Sequence, residues 1–106
     1  MLGTTAKDEI VILGAHLDDI PRDGRAPGAN DDGSGSAALL AIAAAIGDSG
    51  YSFKRTICLE HFTGEEQGLV GSRAQAEVRA NRGDKVVAMI QQVRSRAARC
   101  MHCAVA

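Results

Sequence analysis

Five residues between Ile12 and Ser72 carry groups that together could hold a metal ion and activate water: His16, Asp18, Asp31 and the adjacent pair Glu65 and Glu66. Imidazole and carboxylate are the ligands that bind borderline divalent ions such as zinc, and a carboxylate left uncoordinated can act as general base. His16 and Asp18 are two apart, so extended backbone projects them to the same side. There a carboxylate can accept the proton of one ring nitrogen while the other nitrogen binds metal. Asp31 lies in GANDDGSG, Gly28 to Gly35, where glycines permit positive φ and close packing. A short carboxylate fixed in such a loop can sit between two metals and bridge them. Asp32 competes for that role. An Asp ahead of a helix commonly accepts backbone N–H bonds as a cap, and we assign the cap to Asp32 and the bridge to Asp31. Glu65 and Glu66 repel each other unless a cation or a shared proton compensates, and zinc would supply the cation. One of the two can bind metal while the other moves a proton from water to a leaving amine; the plainer reading is a solvated acidic turn.

Such side chains need elements to carry them. Glu9 to Ala15 (EIVILGA) is a nearly continuous apolar run, too short for a helix and rich in β-branched residues, which predicts a central strand buried on both faces. Prolines, glycines and aspartates crowd Leu17 to Gly33, predicting a long ordered loop, and loops of that length are usually functional. Ser34 to Ile46 predicts a helix stopped by Gly47, with apolar residues all round it and hence buried against a sheet. Phe53 to Thr63 reads as a second strand, Leu69 to Asn81 as a helix terminated by Gly83, and Lys85 to Gln91 as a third strand. Glu60 and His61 are polar residues inside the second strand and suggest an edge. Strands alternating with helices predict an α/β fold with a mostly parallel sheet, in which ligands collect at the carboxyl ends of the strands. All five residues fall at that rim.

Composition narrows the function classes. At 106 residues the chain supports one small domain, above the roughly 40 residues below which disulfide or metal staples are usually needed. Only three residues are aromatic, so a core built from Ala, Val, Ile and Leu will be thin and stability marginal. No acid follows Asp84, whereas Lys85, Arg94, Arg96 and Arg99 do, which gives a cationic, solvated tail. Without aromatic interleaving or a nucleic-acid motif, no nucleic-acid partner is expected. No apolar run approaches the roughly 20 residues of a membrane span, so no membrane partner is expected either. Three cysteines make an odd count and no leader precedes the first strand, so neither secretion nor a disulfide framework is indicated. Cys58 reads as a buried strand residue. Cys100, His102 and Cys103 form a lone C-x-x-C with one histidine, short of a zinc ribbon's second ligand pair.

Two phosphate-loop readings fail. Gly28 to Ser34 has G-x-x-x-x-G spacing but lacks the Lys and carries two Asp, which would repel phosphate. Gly33-x-Gly35-x-x-Ala38 matches a dinucleotide variant, but its strand ends far upstream where the turn should be immediate.

The segments AHLDD, PGANDDGSG, KRTI and FTGEEQGLVGS resemble the dinuclear zinc aminopeptidases of the bacterial leucyl and fungal secreted type, over about residues 8 to 92. The resemblance implies a three-layer sheet with helices on both faces, of which this chain is a fragment: residues 1–92 a partial zinc exopeptidase domain, 93–106 an unrelated basic tail. It implies two zinc ions, with His16 binding one, Asp31 bridging both, Glu66 binding the other, Glu65 as general base and Asp18 orienting His16. The implied reaction releases the N-terminal residue of a peptide substrate: water attacks the first peptide carbonyl, zinc stabilises the oxyanion, and the base returns the proton. The family also uses an Asp just after the third strand and a distant His; Val93 stands at the first position, and patterning stops at Gln92. We therefore expect a fragment or altered-frame product with weak metal affinity and little turnover. The alternative is a non-catalytic, peptidase-like binding domain. Exposed sheet edges predict self-association. The family is often secreted.

Overall fold

The computed structural model describes residues 1–21 and 23–93, together with the backbone of His102–Ala104. Chain order is β1 (Ala6–His16), α1 (Gly33–Ser49), β2 (Arg55–Phe62), α2 (Val70–Arg82), β3 (Lys85–Gln91) and β4 (His102–Ala104). The sheet runs β2-β1-β3-β4, with β1 parallel to both neighbours and β4 antiparallel to β3. The apolar run EIVILGA is thus central, as its sequence predicts. The tail departs from expectation: although it lacks a strand pattern, the backbone of His102–Ala104 pairs with Met89 to Gln91. Arg94, Arg96, Arg99 and Cys100, and the side chains of His102 and Cys103, lie outside the described residues.

Parallel register brings the strand ends together. His16 pairs with Phe62, Gly14 with Gln91, and the Gln92 N–H donates to the Gly14 carbonyl. The carboxyl ends of β1, β2 and β3 therefore lie at one rim.

Asp32 caps α1, its carboxylate accepting the Gly35 N–H at 3.1 Å. Gly47 does not stop this helix. Helical backbone tolerates a glycine at a cost of about 1 kcal/mol, and α1 runs on to Ser49, ending where Gly50 turns left-handed at φ 63°. Expected burial all round is also corrected: Leu39 is 2% exposed, but Leu40 is 63% and Ile42 38% exposed, because α1 meets the sheet along one line only. At α2 the first amides, of Val70 and Gly71, donate to the carbonyls of Gly64 and Thr63. Gly71 lies so near Thr63 that a Cβ there would collide with its backbone. Gly83, left-handed at φ 71°, ends α2 as the sequence predicts.

Among the described residues the buried apolar core is Ile12, Ala15, Leu39 and Phe62, as thin as the composition implies. β2 is an edge strand. Its Glu60 is ion-paired to Arg79 of α2, which also bonds Asp84 at 2.9 Å, so the strand's internal acid is compensated from the neighbouring helix. At Ile57 the edge is closed by Met1, through backbone bonds of 2.8 and 3.0 Å. Cys58, half-buried on β2, is a free thiol. No described helix is long and apolar enough to cross a membrane.

Candidate active site

His16 ends β1 with its side chain 1% exposed. Its backbone is fixed on both sides: the N–H donates to Asp32 Oδ2 at 3.0 Å and the carbonyl accepts the Ser36 hydroxyl at 2.9 Å. Asp32 thus ties the last residue of β1 to the first turn of α1. Gly35 makes this possible, since a Cβ at that position would strike the Asp32 carboxylate.

The ring is oriented at both nitrogens. Nδ1 faces the backbone carbonyl of Asp18 at 3.1 Å, and Nε2 faces Asp31 Oδ1 at 3.2 Å. Glu65 Oε2 and Asp32 Oδ2 each lie 4.0 Å from Nε2. Burial disfavours the imidazolium, but the charges of Asp32 and Glu65, with the contacts to Asp18 and Asp31, outweigh it and raise the His16 pKa.

Asp18 differs from its expected contact. Its carboxylate stands 3.7 Å from Nδ1, too far for a hydrogen bond, and accepts instead the backbone N–H groups of Glu65 and Glu66, each at 3.1 Å. Burial would push this carboxyl up, yet those two backbone donors hold its pKa below the ordinary value.

Glu65 and Glu66 diverge. Glu66 and Asp31 line a cavity of about 310 Å³ walled by Asp19, Ile20, Pro27, Gly28 and Asn30. Glu65 and His16 line a second, more apolar cavity of about 260 Å³ with Phe62, Leu69, Ser72, Met89, Gln91 and Val93. The His16–Asp31 contact joins the two. Glycines in GANDDGSG act by close approach: Gly28, Gly33 and Gly35 all keep negative φ, and a Cβ on Gly28 would meet Asp19 and the Asp31 carbonyl.

All five residues singled out from the sequence therefore gather at one end of the sheet. Asp19, which accepts the Gly28 and Ile20 N–H groups and folds the loop back on itself, was not singled out, nor was Ser36. Neither has a sequence signal beyond its residue type.

Zinc takes His nitrogen and carboxylate oxygen at 2.0–2.2 Å, so two such ligands in tetrahedral array stand roughly 3.3 Å apart. The His16 Nε2 to Asp31 Oδ1 separation of 3.2 Å fits such a pair. Among the described residues, however, no group of three His, Cys, Asp or Glu side chains is disposed to hold a metal ion. The donors fit part of a zinc shell.

Residues 1–92 match peptidase family M28. The chain belongs to that family. It is 41% identical over 93 residues to a probable leucine aminopeptidase of Arthroderma otae, covering 80% of this chain and 26% of that protein. It is 41% identical over 92 residues to leucine aminopeptidase 1 of Trichophyton equinum, covering 79% and 25%. A probable leucine aminopeptidase of Trichophyton verrucosum is 40% identical over 93 residues, with 80% and 26% covered. This M28 chain thus spans about a quarter of the length of the curated relatives it matches. The matched family is a peptidase family, and these relatives carry aminopeptidase names.

Proposed function

We propose that the site performs zinc-dependent aminopeptidase chemistry, releasing N-terminal residues from peptides, and that this chain by itself is weakly active or inactive. Support comes foremost from His16 Nε2 facing Asp31 Oδ1 at 3.2 Å, with Glu65 4.0 Å from the same nitrogen, at the carboxyl ends of parallel strands. Membership of M28 adds to it. His16, Asp31 and Glu66 would hold zinc, with Asp31 in the bridging place. The bound metal would supply Lewis acidity towards the peptide carbonyl and lower the pKa of water. Glu65, beside His16 and left outside the ligand set, takes the proton of the attacking water and delivers it to the leaving amine. Asp18 keeps this machinery in register: its carbonyl holds the His16 ring, fixing which nitrogen is presented to Asp31.

Low activity follows from the ligand count, since zinc catalysis usually rests on three protein ligands per ion. We read the sheet as the middle of a three-layer arrangement. Hydrolysis of aminoacyl nitroanilides by the pure chain tests this reading; robust turnover would refute the low-activity half of it. The same incomplete donor set favours one other reading, a non-catalytic peptidase-like domain acting through its surface. A pulldown that survives mutation of both His16 and Glu65 would favour that class. We also propose that copies associate through the uncovered sheet edge and the exposed face of α1.

A further inference from the structure

We propose that the Asp18 carboxylate is a positioning group for the Glu65–Glu66 turn, and that the His16 ring is positioned by the Asp18 backbone instead. The two carboxylate oxygens are engaged one to one, Oδ1 accepting the Glu65 N–H and Oδ2 the Glu66 N–H, both at 3.1 Å. Neither hydrogen-bonds the ring: Oδ1 stands 3.7 Å from His16 Nδ1, whereas the Asp18 carbonyl oxygen is 3.1 Å from that nitrogen. One residue at the end of β1 therefore carries two separable duties, by its main chain towards His16 and by its side chain towards the end of β2.

The grip has a geometric consequence. Two consecutive amides pinned to one carboxylate fix the peptide planes at Glu65 and Glu66, just after Gly64 turns left-handed at φ 69°. The two side chains then leave in different directions, Glu65 into the cavity it shares with His16 and Glu66 into the one it shares with Asp31. Only an ionised carboxylate on a short stem can accept both bonds, each strengthened by its charge. Its value to catalysis rests on the metallopeptidase reading above, because that reading gives Glu65 and Glu66 different tasks.

Replacing Asp18 by Asn keeps the shape and the backbone carbonyl but turns one acceptor into a donor. In nitrogen–proton spectra of Asp18→Asn, the Glu65 and Glu66 amide protons should move upfield, and at least one should exchange with solvent about tenfold faster. The His16 ring nitrogens should keep their shifts and tautomer. Ring nitrogens that move while the two amides stay would overturn the proposal. If the variant does not fold, the unmutated chain decides: scalar couplings across the hydrogen bonds should link the Glu65 and Glu66 nitrogens to Asp18 Cγ. Their absence in spectra that resolve such couplings elsewhere would likewise overturn it. Adding zinc to the unmutated chain tests the underlying reading separately. If His16, Asp31 and Glu66 do not respond, the metallopeptidase reading fails, while the grip on the amides is still judged by its own couplings.

Discussion

At the scale of single residues, His16 and Asp18 give the metal-free chain opposite responses to pH. The His16 pKa is raised, so the stability its charged form contributes is complete below the ordinary value of 6.5 and is lost as pH rises through the folded value. The Asp18 pKa is lowered, so its contribution is present above the ordinary carboxyl value and is lost as pH falls through the folded one. Thermal melts followed by circular dichroism across this range should peak at mildly acidic pH, and His16→Asn should flatten the alkaline limb. An alkaline limb unchanged in that variant would contradict the assignment. Asp32 is the second residue whose role can be weighed alone. Buried, it caps α1 and accepts the His16 N–H, so Asp32→Ala removes a cap and leaves a buried donor unpaired. We expect a loss of about 2–4 kcal/mol in urea unfolding. Sequence reasoning found the cap, because Asp before a helix has a standing preference. It could not find the bond to His16, which depends on how β1 meets α1 in space.

Elements were readable where their signals are local. The β-branched run of β1, the left-handed Gly83 after α2 and the third strand at Lys85–Gln91 all stand where pattern and turn chemistry place them. α1 shows the limit of that reasoning. Its apolar circumference reads as full burial, yet a helix buries only the side that a neighbour covers, and here Leu39 alone among its large residues is fully inside. Leu39→Ala should therefore cost about 2–5 kcal/mol, while Leu40→Ala, at an exposed position, should change stability by no more than about 0.5 kcal/mol. Denaturant unfolding of the two variants measures the contrast; equal costs would mean that α1 is packed differently. β4 is the converse case. No pattern marks His102–Ala104 as a strand, because edge pairing is made by the backbone and asks little of side chains.

For the molecule as a whole, a thin core, an edge strand at β2 and exposed Leu40 and Ile42 leave apolar surface and backbone donors uncovered. Met1 closes that edge only at Ile57. Sedimentation velocity should show association that increases with concentration, and Leu40→Ser should reduce it; a strictly monomeric chain at high concentration would contradict this expectation. His16, Asp18, Glu65 and Glu66 were legible as neighbours because they sit at or just after strand ends, where parallel topology must gather them, and Asp31 because it stands just ahead of α1. Their partition between two cavities was not, since it depends on where Asp18 holds the turn after β2. The central proposal is that His16, Asp31 and Glu66 each supply one ligand of an incomplete zinc site at the sheet's rim. Isothermal titration of the pure chain with zinc tests it most directly: the account predicts weak, saturable binding that is abolished in His16→Ala and Asp31→Ala, and heat that is absent, or unchanged in those variants, would contradict it.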